Sequence, residues 1–244
     1  MKFLGAKPRS TDESVWISSS DLMSGLMIIF LFISVAFIRQ EAPKVLGNGE
    51  FSENYLKNIF AIEEEINQAL DDEFSEFEKL KWNMKIIPEL NLIRFQTPEI
   101  MFEKNSTQLA QPFKDILREF FPRYLSVLAD FDDVFREIRI EGHTSSEWQG
   151  REETEAFIEN MSLSQGRTQQ VFEYSMSQLI LYSSEREISF ARNKIGAAAM
   201  SSRDLIKDKD GNELPELSRR VEFRHVFDDR KYLLTVQNYL QSQN

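Results

Sequence analysis

The pattern of hydrophobic and polar positions divides the chain into a long apolar segment, a polar connection and a globular region. Residues 16–38 are apolar or small apart from Asp21, their one ionisable residue. At about 1.5 Å per residue, a helix of this length crosses the roughly 30 Å hydrocarbon core of a bilayer. The pattern therefore predicts a transmembrane helix over 16–38. Three basic residues lie within residues 1–15 and two closely follow the span, a bias that predicts a cytoplasmic N-terminus.

Asp21 needs an explanation, because an acid inside a span costs about 2.5 to 3.5 kcal/mol on insertion scales. It either marks an ion path or caps the helix near the headgroups. Ser18, Ser24 and Gly25 lie three or four residues from Asp21 and share its face. This small, polar face is suited to contact with protein. A single helix cannot line a conduit, so an ion path would need partner helices.

The next region, residues 39–81, is predicted to contain a linker and an amphipathic helix. Pro43, Gly47 and Gly49 break up the polar linker. Apolar residues then recur at three- and four-residue spacing over 51–70, with acids between them. Two interpretations stay open: the apolar stripe packs on the chain's own downstream domain, or it meets a second copy in a two-stranded contact.

Residues 82–244 show the alternating patterns of a mixed α/β domain. The predicted strands are Met84–Ile87, Leu90–Thr97, Phe135–Glu141, Glu187–Ala191 and Arg220–Phe227. The predicted helices are Gln111–Ala129, with a kink or break at Pro122, and Leu163–Leu181. This order predicts an α+β fold in which helices cover one side of a mixed sheet.

Composition narrows the function classes. The formal net charge of −11 argues against nucleic acid as a partner. Cysteine is absent, which rules out disulfides and thiol chemistry. The two histidines, His143 and His225, have no paired carboxylates in the sequence pattern that would complete a metal site. No nucleophile–base pair is visible either, so the chain is expected not to be an enzyme.

The apolar segment resembles the single span of MotB, the flagellar stator subunit, in the pattern W-x4-D-L-M-S-G-L-M from Trp16 to Met27. In that family the acid carries ions across the membrane beside a ring of larger MotA-like subunits. The resemblance implies that Asp21 carries the ion and that Ser18, Ser24 and Gly25 neighbour its path. It also implies a homodimer inside a MotA-like ring, with no cofactor and with H⁺ or Na⁺ as the translocated ion.

Three motifs in the globular region resemble the OmpA-like peptidoglycan-binding family, which also supplies the periplasmic domain of MotB. They are I-E-G-H-T ending at Thr144, N-x-x-L-S-x-x-R from Asn160 to Arg167, and S-R-R-V-E starting at Ser218. The resemblance covers roughly Asn91 to Phe227 and implies that residues 82–244 form a periplasmic peptidoglycan-binding domain. The implied binding residues are Thr144, Asn160, Leu163, Arg167 and Arg220.

An Arg can hold the carboxylate of a wall stem peptide through two parallel hydrogen bonds. From the sequence alone, Arg167 could equally be a solvated helix cation, and Arg219 and Arg220 structural salt-bridge residues. The family usually has an Asp after G-H-T that pairs with the ammonium of the stem's diamino acid, and here that position is Ser145. Glu141 and Glu147 are the candidate substitutes.

The stretch Lys194–Leu217 replaces the family's usual glycine-rich loop. Its acids Asp208, Asp210 and Glu213 invite a calcium interpretation, although the EF-hand spacing is incomplete. The modified loop and the short basic N-terminus resemble ZorB, the MotB-like family of the Zorya anti-phage system, more than they resemble flagellar stator subunits. That resemblance implies an inner-membrane motor with a ZorA-like partner. A flagellar stator subunit and a passive wall anchor without ion coupling are the alternatives.

Overall fold

The computed structural model describes residues 23, 26–35, 57, 60–103, 106–148 and 150–228. The chain divides into two compact units, Met1–Leu56 with Asn244, and Lys57–Gln243. Of the first unit, residues 26–35 are helical, and their large apolar side chains are exposed. Across the described ranges, no helix has both the length and the apolar character needed to cross a membrane.

The remainder of the predicted span lies outside the described residues. This includes all four positions of the predicted ion path: Ser18, Asp21, Ser24 and Gly25. The transmembrane helix and the ion-carrying carboxylate therefore stay predictions.

The second unit alternates helices with five strands. Its helices are α1 (60–73), α2 (Glu76–Lys81), α3 (Pro98–Met101), α4 (Gln111–Ala129), α5 (Glu153–Tyr182), α6 (Glu185–Lys194) and α7 (Pro215–Ser218). Its strands are β1 (Met84–Ile87), β2 (Leu92–Gln96), β3 (Phe135–His143), β4 (Ile195–Ser201) and β5 (Arg220–Phe227).

The strands form one sheet in the order β1-β2-β5-β3-β4. All neighbours run antiparallel except β3 and β4, which are parallel and joined through α5 and α6. In the central register Ile140 of β3 lies opposite Phe223 of β5 and Ala197 of β4. The predicted mixed sheet with helices is confirmed.

One face of the sheet packs on the helices. Alternate residues of β3 and β5, such as Ile140 and Phe223, are fully buried there because successive side chains of a strand point to opposite faces. The ring of Phe223 lies 5.0 Å from that of Phe120 and 5.9 Å from that of Tyr124, both in α4. These contacts fix α4 across the sheet and complete the core.

The apolar stripe of the N-terminal helix belongs to this core. Ile66, Leu70 and Phe74 are fully buried in the same cluster as Phe120, and Ile62 packs against it. For these positions, the interpretation of the stripe as a contact between two copies is wrong. Burial inside the chain's own domain removes the apolar surface that such a contact would use.

One element prediction is also wrong, and so is one alternative of a second. Glu187–Ala191 is not a strand but part of α6, whose first turn is stabilised by a capping box between Ser184 and Glu187. The strand that follows is β4. Helix α4 continues through Pro122, so the predicted alternative of a break is wrong and the kink stays a prediction. The flanking Phe120 and Phe121 are fully buried, and their burial offsets the lost hydrogen bond.

Candidate functional site

A groove with a cavity volume of about 1040 Å³ opens where β3 ends, beside the first half of α5. Its walls come from the segment after β3, from α5, from the segment around α3 and from the residue before β5. Its lining residues are Pro98, Glu99, Phe102, Glu103, Thr144, Ser145, Glu147, Trp148, Asn160, Leu163, Arg167 and Arg219. Four of the five predicted peptidoglycan-binding residues, Thr144, Asn160, Leu163 and Arg167, thus share one groove.

The G-H-T and N-x-x-L-S-x-x-R motifs bring β3 and α5 into close contact. A Cβ on Gly142 would overlap Thr168 Oγ1 and lie 3.1 Å from the carbonyl oxygen of Ser164, so only glycine allows this approach. The backbone N–H of Ser201 donates a hydrogen bond to Ser164 Oγ at 3.2 Å. The backbone N–H of Thr144 donates one to the carbonyl oxygen of Ser201 at 2.9 Å. These bonds position Thr144 beside α5.

Arg167 presents an unpaired guanidinium group to the groove. Its Nε donates to the carbonyl oxygen of Ser106 at 3.1 Å, and its Cζ lies 4.7 Å from the centre of the Phe102 ring. Burial, and then the charge of Arg219, lower the pKa of Arg167, but an Arg side chain remains protonated in proteins. Within the described part of the chain, no carboxylate pairs with Arg167.

Two buried polar groups line the groove without a partner. Asn160 and Thr144 are each 2% exposed, and among the described residues Asn160 Nδ2 and Thr144 Oγ1 have no hydrogen-bond partner. A buried polar group costs free energy when it is unpaired. These two groups are therefore placed to bind polar atoms of a ligand beside Arg167.

The position after Thr144 is held by an arginine. Ser145 is buried, and its Oγ lies 3.3 Å from Arg219 Nη1. Arg219 also forms ion pairs with Glu147, at 3.5 Å, and with Glu216. Of the two candidate substitutes for the family's Asp, Glu147 lines the groove, whereas Glu141 lies elsewhere, in the charged network described below.

The acidic loop between β4 and α7 supports the groove wall. Glu213 accepts hydrogen bonds from the backbone N–H, at 3.0 Å, and the hydroxyl of Ser146. Asp208 Oδ1 accepts the backbone N–H groups of Asp210 and Asn212, each at 2.9 Å, and so closes its own turn. The carboxylate of Glu213 is bonded to Ser146 and that of Asp208 to its own turn. The two do not converge on one point, so their geometry does not support the calcium interpretation. Sequence reasoning missed the role of Glu213, which depends on a contact between distant segments.

The structure does not bring Arg220 to the groove. Its side chain is buried, with Nε donating to Glu222 Oε1 at 2.6 Å and Nη1 to the carbonyl oxygen of Ser218 at 3.0 Å. Arg220 is therefore a structural salt-bridge residue, which was the alternative interpretation. Its neighbour Arg219 lines the groove instead.

Arg220 belongs to a charged network around His143. Nε2 of His143 lies 3.4 Å from Glu222 Oε2 and 3.8 Å from Glu141 Oε2. The sequence pattern did not indicate this approach of two carboxylates to His143, because it depends on strand alternation and pairing, which put all three residues on one sheet face. Burial by itself would raise the pKa of Glu222, but His143 and Arg220 hold that pKa well below its usual range.

The network does not fit a metal ion, although the ligand atoms of Glu141, His143 and Glu222 lie within 4.8 Å of one another. Both carboxylates already accept hydrogen bonds from guanidinium groups. The donors are Arg94, Arg139, Arg220 and Arg224. A divalent cation would have to displace these donors and would face their positive charges. The cluster is therefore a buried ion-pair network on the sheet face that points away from Ile140 and Phe223.

The chain is similar to proteins from several bacteria, and no protein-family model matches it. A MotB-like protein from Desulfovibrio vulgaris shares 15% identity, with a TM-score of 0.42 over 68% of this chain and 96% of that one. The periplasmic domain of Helicobacter pylori MotB shares 14% identity, with a TM-score of 0.41 over 64% and 89%. Zorya protein ZorB of Escherichia coli strain Crooks is 38% identical over 222 residues. That match covers 89% of this chain and 90% of ZorB, so the chain belongs to the ZorB family.

Proposed function

We propose that this protein is the MotB-like subunit of an ion-driven inner-membrane motor in Zorya anti-phage defence. Its C-terminal domain anchors the motor to peptidoglycan in the periplasm, and Asp21 carries H⁺ or Na⁺ through the membrane. Membership of the ZorB family supports the Zorya role over a flagellar one. The partners are a ring of ZorA-like subunits and a second copy of this chain.

Wall anchoring rests on the guanidinium of Arg167, which pairs with no carboxylate among the described residues. Beside it lie two buried groups, Asn160 Nδ2 and Thr144 Oγ1, that have no hydrogen-bond partner in the same part of the chain. Peptidoglycan stem peptides offer carboxylates and amides, which are the acceptors that such a donor set binds. A guanidinium group holds a carboxylate through two parallel, charge-assisted hydrogen bonds. The groove can therefore bind the end of a stem peptide with Arg167 as its principal contact.

Ion coupling rests on the sequence around Asp21. The helical residues 26–35 expose large apolar side chains, as a helix facing lipid does, and this supports a membrane location. A carboxylate within such a segment tends to mark an ion or proton path. One helix cannot enclose that path, which is the physical reason for the proposed ring of partner subunits.

Wall anchoring is tested with Arg167→Ala in the full chain, solubilised in detergent and sedimented with purified sacculi. Loss of a charge-assisted contact of about 1.5 to 3 kcal/mol weakens binding about tenfold or more. Arg118→Ala is the matched control, because Arg118 is a half-exposed helix cation outside the groove. Equal sedimentation of the Arg167 variant and the wild type would contradict the groove as the wall site.

Ion coupling is tested with Asp21→Asn in cells that carry the complete defence system. We expect protection against phage to be lost while the protein level stays unchanged, because the amide cannot exchange a proton or pair with Na⁺. Asp21→Glu keeps a carboxylate and is the matched control. Full protection by the Asn variant would leave the passive wall anchor as the function.

A further inference from the structure

We propose that two guanidinium groups of the groove, those of Arg167 and Arg219, bind the carboxylates of a stem peptide. The ammonium of the stem's diamino acid contributes little to binding. This inference rests on the proposed wall binding and deepens it by naming which groups of the ligand are recognised.

The charges on the inner wall of the groove favour anions. This inner wall includes Arg167, Arg219 and Ser145. The first two are positively charged, and Ser145, which is buried, is neutral. The acids among the described lining residues are Glu99, Glu103 and Glu147, and all three are exposed at the rim. A charge at the rim is screened by water, whereas a charge on the inner wall is screened less. The strongest field inside the groove therefore attracts carboxylates.

Arg219 can contact a ligand despite its two ion pairs. The side chains of its partners Glu147 and Glu216 are 66% and 64% exposed, and ion pairs with such exposed groups are weak. A guanidinium group has five N–H donors, so it can bind a further acceptor without releasing all its contacts. A carboxylate of the ligand can thus replace Glu147 or Glu216 on Arg219.

The two arginines also affect each other. Both side chains line the groove, and the positive charge of Arg219 adds to burial in lowering the pKa of Arg167. A bound carboxylate relieves this repulsion, whereas an ammonium group there would increase it.

The segment that carries Ser145 is held in place by one residue outside the groove, Glu213, and by one that lines it, Arg219. Glu213 accepts two hydrogen bonds from the neighbouring Ser146, and Arg219 contacts Ser145 itself. This part of the groove wall is therefore a positioned guanidinium next to a neutral hydroxyl. In this arrangement Arg219 determines which ligand groups are preferred.

The first experiment measures binding of the full chain in detergent to a stem tripeptide of alanine, glutamate and diaminopimelate. Two derivatives are compared with it, one acetylated on the free amine of the diamino acid and one amidated on the carboxylate that shares a carbon atom with that amine. We expect acetylation to change affinity by less than about twofold, and amidation to weaken it about tenfold. A loss of tenfold or more on acetylation would overturn the inference and show that a rim acid such as Glu147 reads the ammonium.

The second experiment changes the protein. Arg219→Gln should weaken binding of the unmodified tripeptide about tenfold and reduce the effect of amidation. Ser145→Asp should pair with Arg219 and weaken binding of the acetylated tripeptide, and Ser145→Asn, which adds no charge, is its control. Circular dichroism of each variant confirms that the fold is retained.

The outcomes separate the two proposals. Failure of the wild type to bind the tripeptide or sacculi would contradict wall binding, and the inference with it. Wild-type binding that is weakened by Arg167→Ala but unaffected by Arg219→Gln would overturn the inference and leave wall binding in place.

Discussion

His225 is a histidine that the folded protein keeps neutral. It is 1% exposed, and its ring lies 5.8 Å from that of Phe135 and 6.0 Å from that of Phe227. Burial, and then the charge of Arg224, lower the pKa of His225 to about 4. An unfolded chain has no such environment, so its histidine has a pKa near 6.5. The protonation of one residue therefore couples stability to pH.

Between pH 6.5 and 4 the unfolded state binds more protons at His225 than the folded state, so the free energy of unfolding falls as the pH falls. The loss due to His225 approaches about 3 kcal/mol at the lower end. We expect His225→Phe to flatten this slope, as measured by urea unfolding of fragment Lys57–Gln243 at pH 7, 5.5 and 4.5. An unchanged slope in the variant would show that His225 is not the titrating group.

Gly142 gives a second prediction for a single residue. Gly142→Ala forces its new methyl group against Thr168 Oγ1, and we expect it to destabilise the fold by about 1 to 3 kcal/mol in urea unfolding. Adding Thr168→Ala removes the obstructing hydroxyl. The double variant should therefore lose less stability than the sum of the two single changes. Simple additivity would mean that this contact does not restrict the position.

At the level of elements, the loop between β4 and α7 supports one wall of the groove. Its residue Glu213 reaches Ser146, 67 positions earlier in the chain, and so joins the loop to the wall of the groove. The turn at Asp208 closes on its own backbone and gives the loop a fixed shape. The loop therefore stabilises the groove without lining it.

Glu213→Ala should free the segment around Ser146. We expect the backbone amide of Ser146 to exchange hydrogen faster and binding to sacculi to weaken several-fold, because two exposed charge-assisted hydrogen bonds, together worth about 1 kcal/mol, are lost. Asp210→Ala removes an acid from the same loop and is the control. Unchanged exchange at Ser146 would contradict the supporting role of Glu213.

At the level of the whole molecule, helix α1 is part of the globular unit. Its buried residues Ile66 and Leu70, with Phe74 just after it, contribute to the same core as the sheet. Burying a large apolar side chain contributes about 1.5 to 3 kcal/mol, so three of them matter to a domain of ordinary stability. The folded domain therefore begins well before the first strand.

Two fragments test this boundary. Fragment Lys57–Gln243 should unfold in one cooperative thermal transition, followed by circular dichroism. Fragment Trp82–Gln243 lacks the helix, exposes its binding site on the core, and should unfold at a much lower temperature or aggregate. Within the longer fragment, Leu70→Ala should cost about 2 to 5 kcal/mol. Equal transition temperatures for the two fragments would show that α1 does not stabilise the domain.

Local patterns in the sequence were enough to locate most elements and most of the groove. Alternating side chains predicted the strands Met84–Ile87 and Arg220–Phe227, and helical spacing predicted Gln111–Ala129, because each pattern reflects the geometry of one segment. The spaced motifs likewise identified Asn160 and Arg167, which the structure brings to one groove.

Other features were decided by contacts between segments far apart in the chain. Which of Arg219 and Arg220 faces the groove depends on how β5 enters the sheet, and the partner of Glu213 depends on how a long loop folds back. The apolar stripe of α1 has the same spacing whether it meets its own domain or a second copy. Periodicity shows that such a face must be buried, but only the tertiary structure shows what buries it, because the partner surface is assembled from distant residues.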